Sequence, residues 1–205
     1  MLQYSRHCNI YIIITQTGTL LSRILKIITG AKYNHVSISL EKELQTMYSF
    51  GRKNPYNPFC GGLVQESPQY GTFKRFHNTE AIVLEIPVEE ETYHEMKCFI
   101  EQMYREKEKY HYNYLGLILA GIRVPHCQKD SYYCSEFVKA ILLRFRVIKE
   151  GQLQEIIQPI HILELFSKQI IYQGKLKKYK VEELTMQEET EGVDFIDDLL
   201  LQSVK

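Results

Sequence analysis

Tryptophan is absent from this 205-residue sequence, and its five cysteines (Cys8, Cys60, Cys98, Cys127 and Cys134) include no Cys-x-x-Cys pair. An odd, scattered set argues against a disulfide framework and against a structural zinc site. Net charge is lacking too. Lys+Arg and Asp+Glu number 25 each, so no basic excess points to nucleic acid or to an anionic membrane surface. No apolar run approaches the ~18–20 residues that a bilayer span requires. The run Ile10–Ile14 is short and β-branched, a strand and not the core of a signal peptide. Thr17-Gly18-Thr19 precedes a helical pattern but lacks the Gly-rich, Lys-bearing loop of a nucleotide site, and capping accounts for it better. These absences leave a soluble, reduced, cytoplasmic protein as the expectation.

What is present suits a folded enzyme-sized unit. Hydrophobic residues make up 44% and charged residues 24%, a globular balance. The length allows one medium domain over residues 1–180. From Val181 onward the composition turns acidic, which reads as a C-terminal tail over 181–205, flexible or docked as a marginal helix. Fifteen tyrosines suggest a core with many rings half-buried and their hydroxyls at a polar rim.

Hydrophobic periodicity then orders the chain. Asn9–Thr15 is apolar almost throughout, as expected of a central strand. Thr19 caps a helix to Ile28, stopped by Gly30. His35–Leu40 alternates, with His35, Ser37 and Ser39 on one face and Val36, Ile38 and Leu40 on the other, and Leu44–Phe50 returns beside it as a hairpin. Gly51–Gly62, with its Asn-Pro pairs, reads as a loop, and Gly61-Gly62 in it as turn chemistry; a loop of this kind beside the His hairpin could wall a substrate groove. Leu63–Glu66 is a short strand and Glu80–Ile86 a clearer one, ended by Pro87. Glu89–Lys109 is the longest helix, burying Met96, Phe99, Ile100 and Met103, and His111–Gly121 is at least partly helical. Pro159–Ser167 is a short helix, and Gln169–Tyr172 with Leu176–Tyr179 a closing hairpin around Gln173-Gly174.

The chemistry centres on Tyr132–Phe145, which reads YYCSEFVKAILLRF. From Ser135 it is an amphipathic helix with Phe137, Val138, Ile141, Leu142 and Phe145 on one side. Cys134 stands at its start. Helix starts favour an anion, and the thiolate is the nucleophilic form of cysteine. An inert buried cysteine is the competing reading, and only a base elsewhere in the chain separates the two. Imidazole is suited to that task near neutral pH. Of the seven histidines, His35 alone opens a strand, beside Ser37 and Ser39; the others lie in polar contexts. His126-Cys127 has no partners at metal-ligand spacing.

NHVSI with its return strand, a long gap, then YYCSEFV resembles the circularly permuted branch of the NlpC-like, papain-like cysteine peptidases and amidases. That branch also holds the lecithin retinol acyltransferase-like enzymes. The resemblance runs from about Asn9 to Phe145. It implies an α+β fold, an antiparallel sheet packed against the helix bearing the nucleophilic cysteine, with Glu89–Lys109 as a second helical layer. It implies Cys134 as nucleophile and His35 as general base. A third polar residue on the strand after the histidine orients the imidazole in the family, and Ser49 matches that position best, with Tyr48 as its neighbour on the opposite face. Tyr112, in Tyr112-Asn113, looks similar to a tyrosine that lines the family's site. The activity implied is hydrolysis of an amide or related acyl bond in a peptide-like or acyl-amide substrate through an acyl-enzyme, with no metal or organic cofactor and no nucleic acid. Acyl transfer on the same fold and a catalytically weak binding module are the alternatives.

Overall fold

The structure, a computed structural model, describes residues 7–16, 32–54, 56–57, 60–122, 124–126 and 128–180. The expected helix Thr19–Ile28, Cys127 and the acidic stretch 181–205 lie outside the described residues. The described chain is α+β. Its strands are β1 (His7–Gln16), β2 (His35–Ser39), β3 (Met47–Arg52), β4 (Gly61–Glu66), β5 (Glu80–Glu89), β6 (His111–Tyr112), β7 (Ser131–Tyr132) and β8 (Ile170–Lys175). Its α-helices are α1 (Gly71–Arg75), α2 (Glu90–Arg105), α3 (Tyr114–Gly121), α4 (Cys134–Arg144) and α5 (Pro159–Leu165). Six strands form one sheet in the order β4-β3-β2-β1-β5-β8, every pair antiparallel, while β6 and β7 pair in parallel apart from it.

The alternation along these strands sorts the sheet into two faces. Ile10, Ile12, Ile14, Val36, Ile38, Phe50, Ile82 and Leu84 belong to the larger core, which also takes Met96, Ile100 and Met103 of α2 and Phe137, Val138, Ile141 and Leu142 of α4. The two long helices therefore share one core on one face, and α2 is not a separate layer. The opposite face holds a smaller cluster, in which Ile13, Met47, Ala81 and Val83 meet Phe73 of α1 and Leu176. Burial at ~25 cal/mol per Å² of apolar surface makes the first face the main source of stability. Phe137 anchors α4 there, its ring centroid 5.4 Å from that of Phe50.

Several boundaries differ from the sequence reading for identifiable reasons. Residues 51–62 are not loop throughout, because Gly51 and Arg52 pair with Gly62 and Gly61 and extend the hairpin. Strand β5 continues through Pro87, which pairs with Asn9 at a level that β8 does not reach. A proline is tolerated where its missing N–H has no neighbour to serve. Gln173-Gly174 is no turn: Ile170–Lys175 is a single strand along β5, with a bulge at Val83/Leu84, followed by a 3₁₀ turn over Leu176–Lys178. His111–Tyr112 is strand before the helix begins at Tyr114. No helix among the described residues is long and apolar enough to cross a membrane.

Candidate active site

Cys134 is the first residue of α4, following Tyr133 in extended conformation. The helix starts there because Glu136 folds back and its Oε2 accepts the Tyr133 N–H at 3.0 Å, satisfying a donor that the helix leaves unpaired. Asn113 ties this cap to the neighbouring helix. Its Nδ2 donates to Glu136 Oε2 at 3.3 Å, while its Oδ1 accepts the Gly116 N–H at 2.8 Å and caps α3. A Cβ on Gly116 would collide with the Asn113 amide, so only glycine lets the cap close. Asn113 therefore serves the frame around the cysteine, not the chemistry.

His35 opens β2 at the end of the sheet, where the side chain of Cys134 lies close enough to its ring to help raise its pKa. The imidazole also meets the Ser37 hydroxyl at 3.4 Å, the Phe73 ring at 6.2 Å between centroids, and Glu66, the last residue of β4. Nε2–H donates to Glu66 Oε2 at 2.9 Å and lies 3.1 Å from Oε1. Ser37 Oγ donates to the same Oε2 at 2.6 Å. The carboxylate thus holds the imidazole from one side and is itself held by a hydroxyl, leaving Nδ1 as the nitrogen for the thiol. Burial disfavours charge on His35, but Glu66 and Cys134 outweigh it and push its pKa up to about 10.

Ser49 does not orient the imidazole. Its hydroxyl donates to the Val36 carbonyl at 2.7 Å, across to the neighbouring strand. The group that holds the imidazole is the Glu66 carboxylate and not the Ser49 hydroxyl. Tyr48 faces the large core and packs edge-on against Tyr104 at 5.7 Å, so it is not the third residue either. Ser49 has a spatial part instead. Together with Ser37 and Gly51 it provides the small side chains that let the Glu66 carboxylate lean across β3. A Cβ on Gly51 would fall 3.1 Å from Glu66 Oε1, 3.1 Å from Val64 Cγ2 and 3.6 Å from His35 Cε1.

Tyr112 is where the sequence places it, beside the cysteine. Burial and then the neighbouring Cys134 raise its pKa well above the usual tyrosine range, so its hydroxyl keeps its proton and can donate. Its ring rests on Gly61, where a Cβ would come within 2.9 Å. A small recess lined by Tyr33, Leu117, Ala120 and Ile157 borders Cys134. Among the described residues no group of three His, Cys, Asp or Glu side chains is placed to hold a metal ion.

The structure thus brings Cys134, His35 and Tyr112 together and leaves Ser49 one strand away. Glu66 was missed because it is fixed by the β3–β4 pairing, Met47 opposite Glu66, and no local pattern announces that register. The available signal was an acidic residue at the end of Leu63-Val64-Gln65-Glu66, on the same strand face as the buried Val64. Compared with family models, with curated proteins and with solved structures, the chain has no match in any of the three.

Proposed function

We propose that this chain is a thiol-dependent hydrolase with a permuted papain-like fold, cleaving an amide or related acyl bond through Cys134, His35 and Glu66. The observation that carries the reading is the chain of contacts from the helix-start thiol to the imidazole and from Nε2 to a carboxylate at 2.9 Å. His35, with its pKa raised to about 10, holds the proton of the Cys134–His35 pair from the outset, and the sulfur attacks the carbonyl carbon as the C=O electron pair moves onto oxygen. The Tyr112 hydroxyl and the Cys134 backbone N–H, which starts a helix, are donors for that oxyanion. The intermediate collapses, the bond to the leaving group breaks, and His35 returns the proton to it. Water then attacks the thioester with His35 as base, and the thiol is regenerated.

Glu66 bears on the electrostatics of the Cys134–His35 pair. The proton makes His35 an imidazolium, and a carboxylate on its far side stabilises that cation. A weak or inactive relative was the natural alternative while no acid partnered the histidine, and Glu66 removes the reason for it. Incubation with p-nitrophenyl acetate tests the proposal. The expected result is release of p-nitrophenol with one acetyl group mapped to Cys134, lost in Cys134→Ala and in His35→Ala. Acetylation spread over lysines and tyrosines and unchanged in both variants would overturn it.

A further inference from the structure

Arg52, the last residue of β3, pairs with Gly61, the first of β4. Residues paired across antiparallel strands send their side chains from the same face, with Cβ positions about 5 Å apart. At Gly51 a Cβ would point to Glu66 and His35, so at Arg52 and Gly61 the side-chain direction is the opposite one. A Cβ on Gly61 would fall 2.9 Å from the Tyr112 ring and 2.7 Å from the Tyr114 hydroxyl. Those two rings lean together, their centroids 4.5 Å apart. The register thus sets the Arg52 side chain against the same pair of tyrosines, close enough for its charge to act on both hydroxyls.

Nη2 of Arg52 is buried without a hydrogen-bond partner among the described residues. The titratable groups acting on the guanidinium are Tyr112, Tyr114 and Arg75, with no carboxylate in the set. Burial lowers its pKa and the two tyrosines oppose that, and a guanidinium keeps its proton either way. A carboxylate beside it would neutralise the cation. Here a buried donor is left unpaired, at a cost, and the field of the charge stays available. Around Tyr112, burial, Cys134, Tyr114 and Glu66 all keep the proton on the hydroxyl, and Arg52 works against them. A hydroxyl beside a cation is a stronger donor, most of all toward a full negative charge. That charge arises only when the carbonyl oxygen of a substrate becomes an oxyanion, so the gain falls on the transition state and not on the resting site.

We propose that Arg52 is a positioning residue of the Cys134 site: a cation enclosed behind Tyr112, without contact to the substrate, that strengthens the Tyr112 hydroxyl as a donor to the oxyanion. This role rests on the hydrolase reading and on Tyr112 as one of its oxyanion donors. Gly61 belongs to the same arrangement, since a side chain there would displace the Tyr112 ring from its place beside Arg52.

The test is a double-mutant cycle on the full-length protein, read as the rate of Cys134 acetylation by p-nitrophenyl acetate. Arg52→Gln should lower that rate about tenfold where Tyr112 is present, and should cause no further loss in Tyr112→Phe. Arg52→Lys puts a cation back and should recover most of the loss; Arg52→Met, which keeps the apolar stem, replaces Arg52→Gln if that variant does not fold. A second readout needs no turnover. Fluorotyrosine in place of Tyr112, followed by fluorine NMR in the Cys134→Ala protein, should titrate about one pH unit higher once Arg52 is neutral and close to its original midpoint in Arg52→Lys. An equal fall in the Tyr112→Phe background, equal losses with Lys and Gln, or a titration midpoint that does not move would overturn the role of Arg52. An acetylation rate that survives Arg52→Gln would overturn that role alone and leave the hydrolase standing. No acetyl adduct on Cys134 in the wild type would overturn the hydrolase reading and the role of Arg52 with it.

Discussion

The two faces of β2 and β3 follow opposite rules. On one, Val36, Ile38, Tyr48 and Phe50 are buried among the large side chains of α2 and α4. On the other, His35, Ser37, Ser49 and Gly51 are small or polar, yet Ser37 and Ser49 are fully buried. The first face gains its free energy from apolar area. The second gives up area to make space for a carboxylate: His35 and Ser37 hydrogen-bond to Glu66, and Ser49 to the Val36 carbonyl. The comparison teaches that stability and chemistry are divided between alternate residues of the same strands. Substitutions should therefore separate the two properties.

The largest expected effect is at the reacting pair. Cys134→Ala or His35→Ala should abolish acylation by p-nitrophenyl acetate while the protein stays folded by circular dichroism. Phe137→Ala, on the other face, should do the reverse, costing roughly 3–5 kcal/mol in urea unfolding. A histidine variant that unfolds while the Phe137 variant does not would break the comparison.

Next comes Glu66→Gln. It keeps the shape but removes the charge behind the imidazole, and acylation should fall by roughly two orders of magnitude. A second readout is stability against pH. His35 is raised from 6.5 to about 10 in the folded protein, so its contribution is complete below pH 6.5 and is lost progressively as pH rises to about 10. The Tm difference between wild type and Glu66→Gln should shrink across that interval. A difference that stays flat would mean that the carboxylate does not hold the imidazolium.

Gly51→Ala should have an intermediate effect. The added methyl meets Glu66 Oε1 and Val64 Cγ2 at 3.1 Å and displaces the carboxylate, so acylation should drop about tenfold with a smaller change in Tm. The smallest effect is expected of Ser49→Ala. It loses one hydrogen bond to the Val36 carbonyl, worth ~1 kcal/mol of stability, and should leave the pH profile of acylation in place. Ser37→Ala, which frees Glu66 on one side, should move that profile instead.

The same division decides what could be read from the sequence. Face one is a periodicity, and periodicity is local, so Asn9–Thr15, His35–Leu40 and the helix after Cys134 were visible with their buried sides. Cys134, His35 and Tyr112 were visible because each lies within a short local pattern. Glu66 was not, since its place depends on how β4 registers against β3. Gly51 and Gly62 misled for a related reason: glycines that read as turn formers are paired strand residues that make room beside a carboxylate. The orienting residue was sought on the strand next to the histidine, and it came from one strand further out.

The most direct test of the central claim is the rate at which iodoacetamide alkylates each cysteine at pH 6, mapped by mass spectrometry. Cys134 is 3% exposed and buried, whereas Cys98 is exposed and Cys8 and Cys60 are half-buried. Accessibility alone therefore ranks Cys134 last of these four. A thiol partnered by an imidazolium that Glu66 stabilises should instead react first, by at least an order of magnitude, and should lose that lead in Glu66→Gln. Labelling that follows exposure, with Cys98 fastest and Cys134 slowest, would contradict the account.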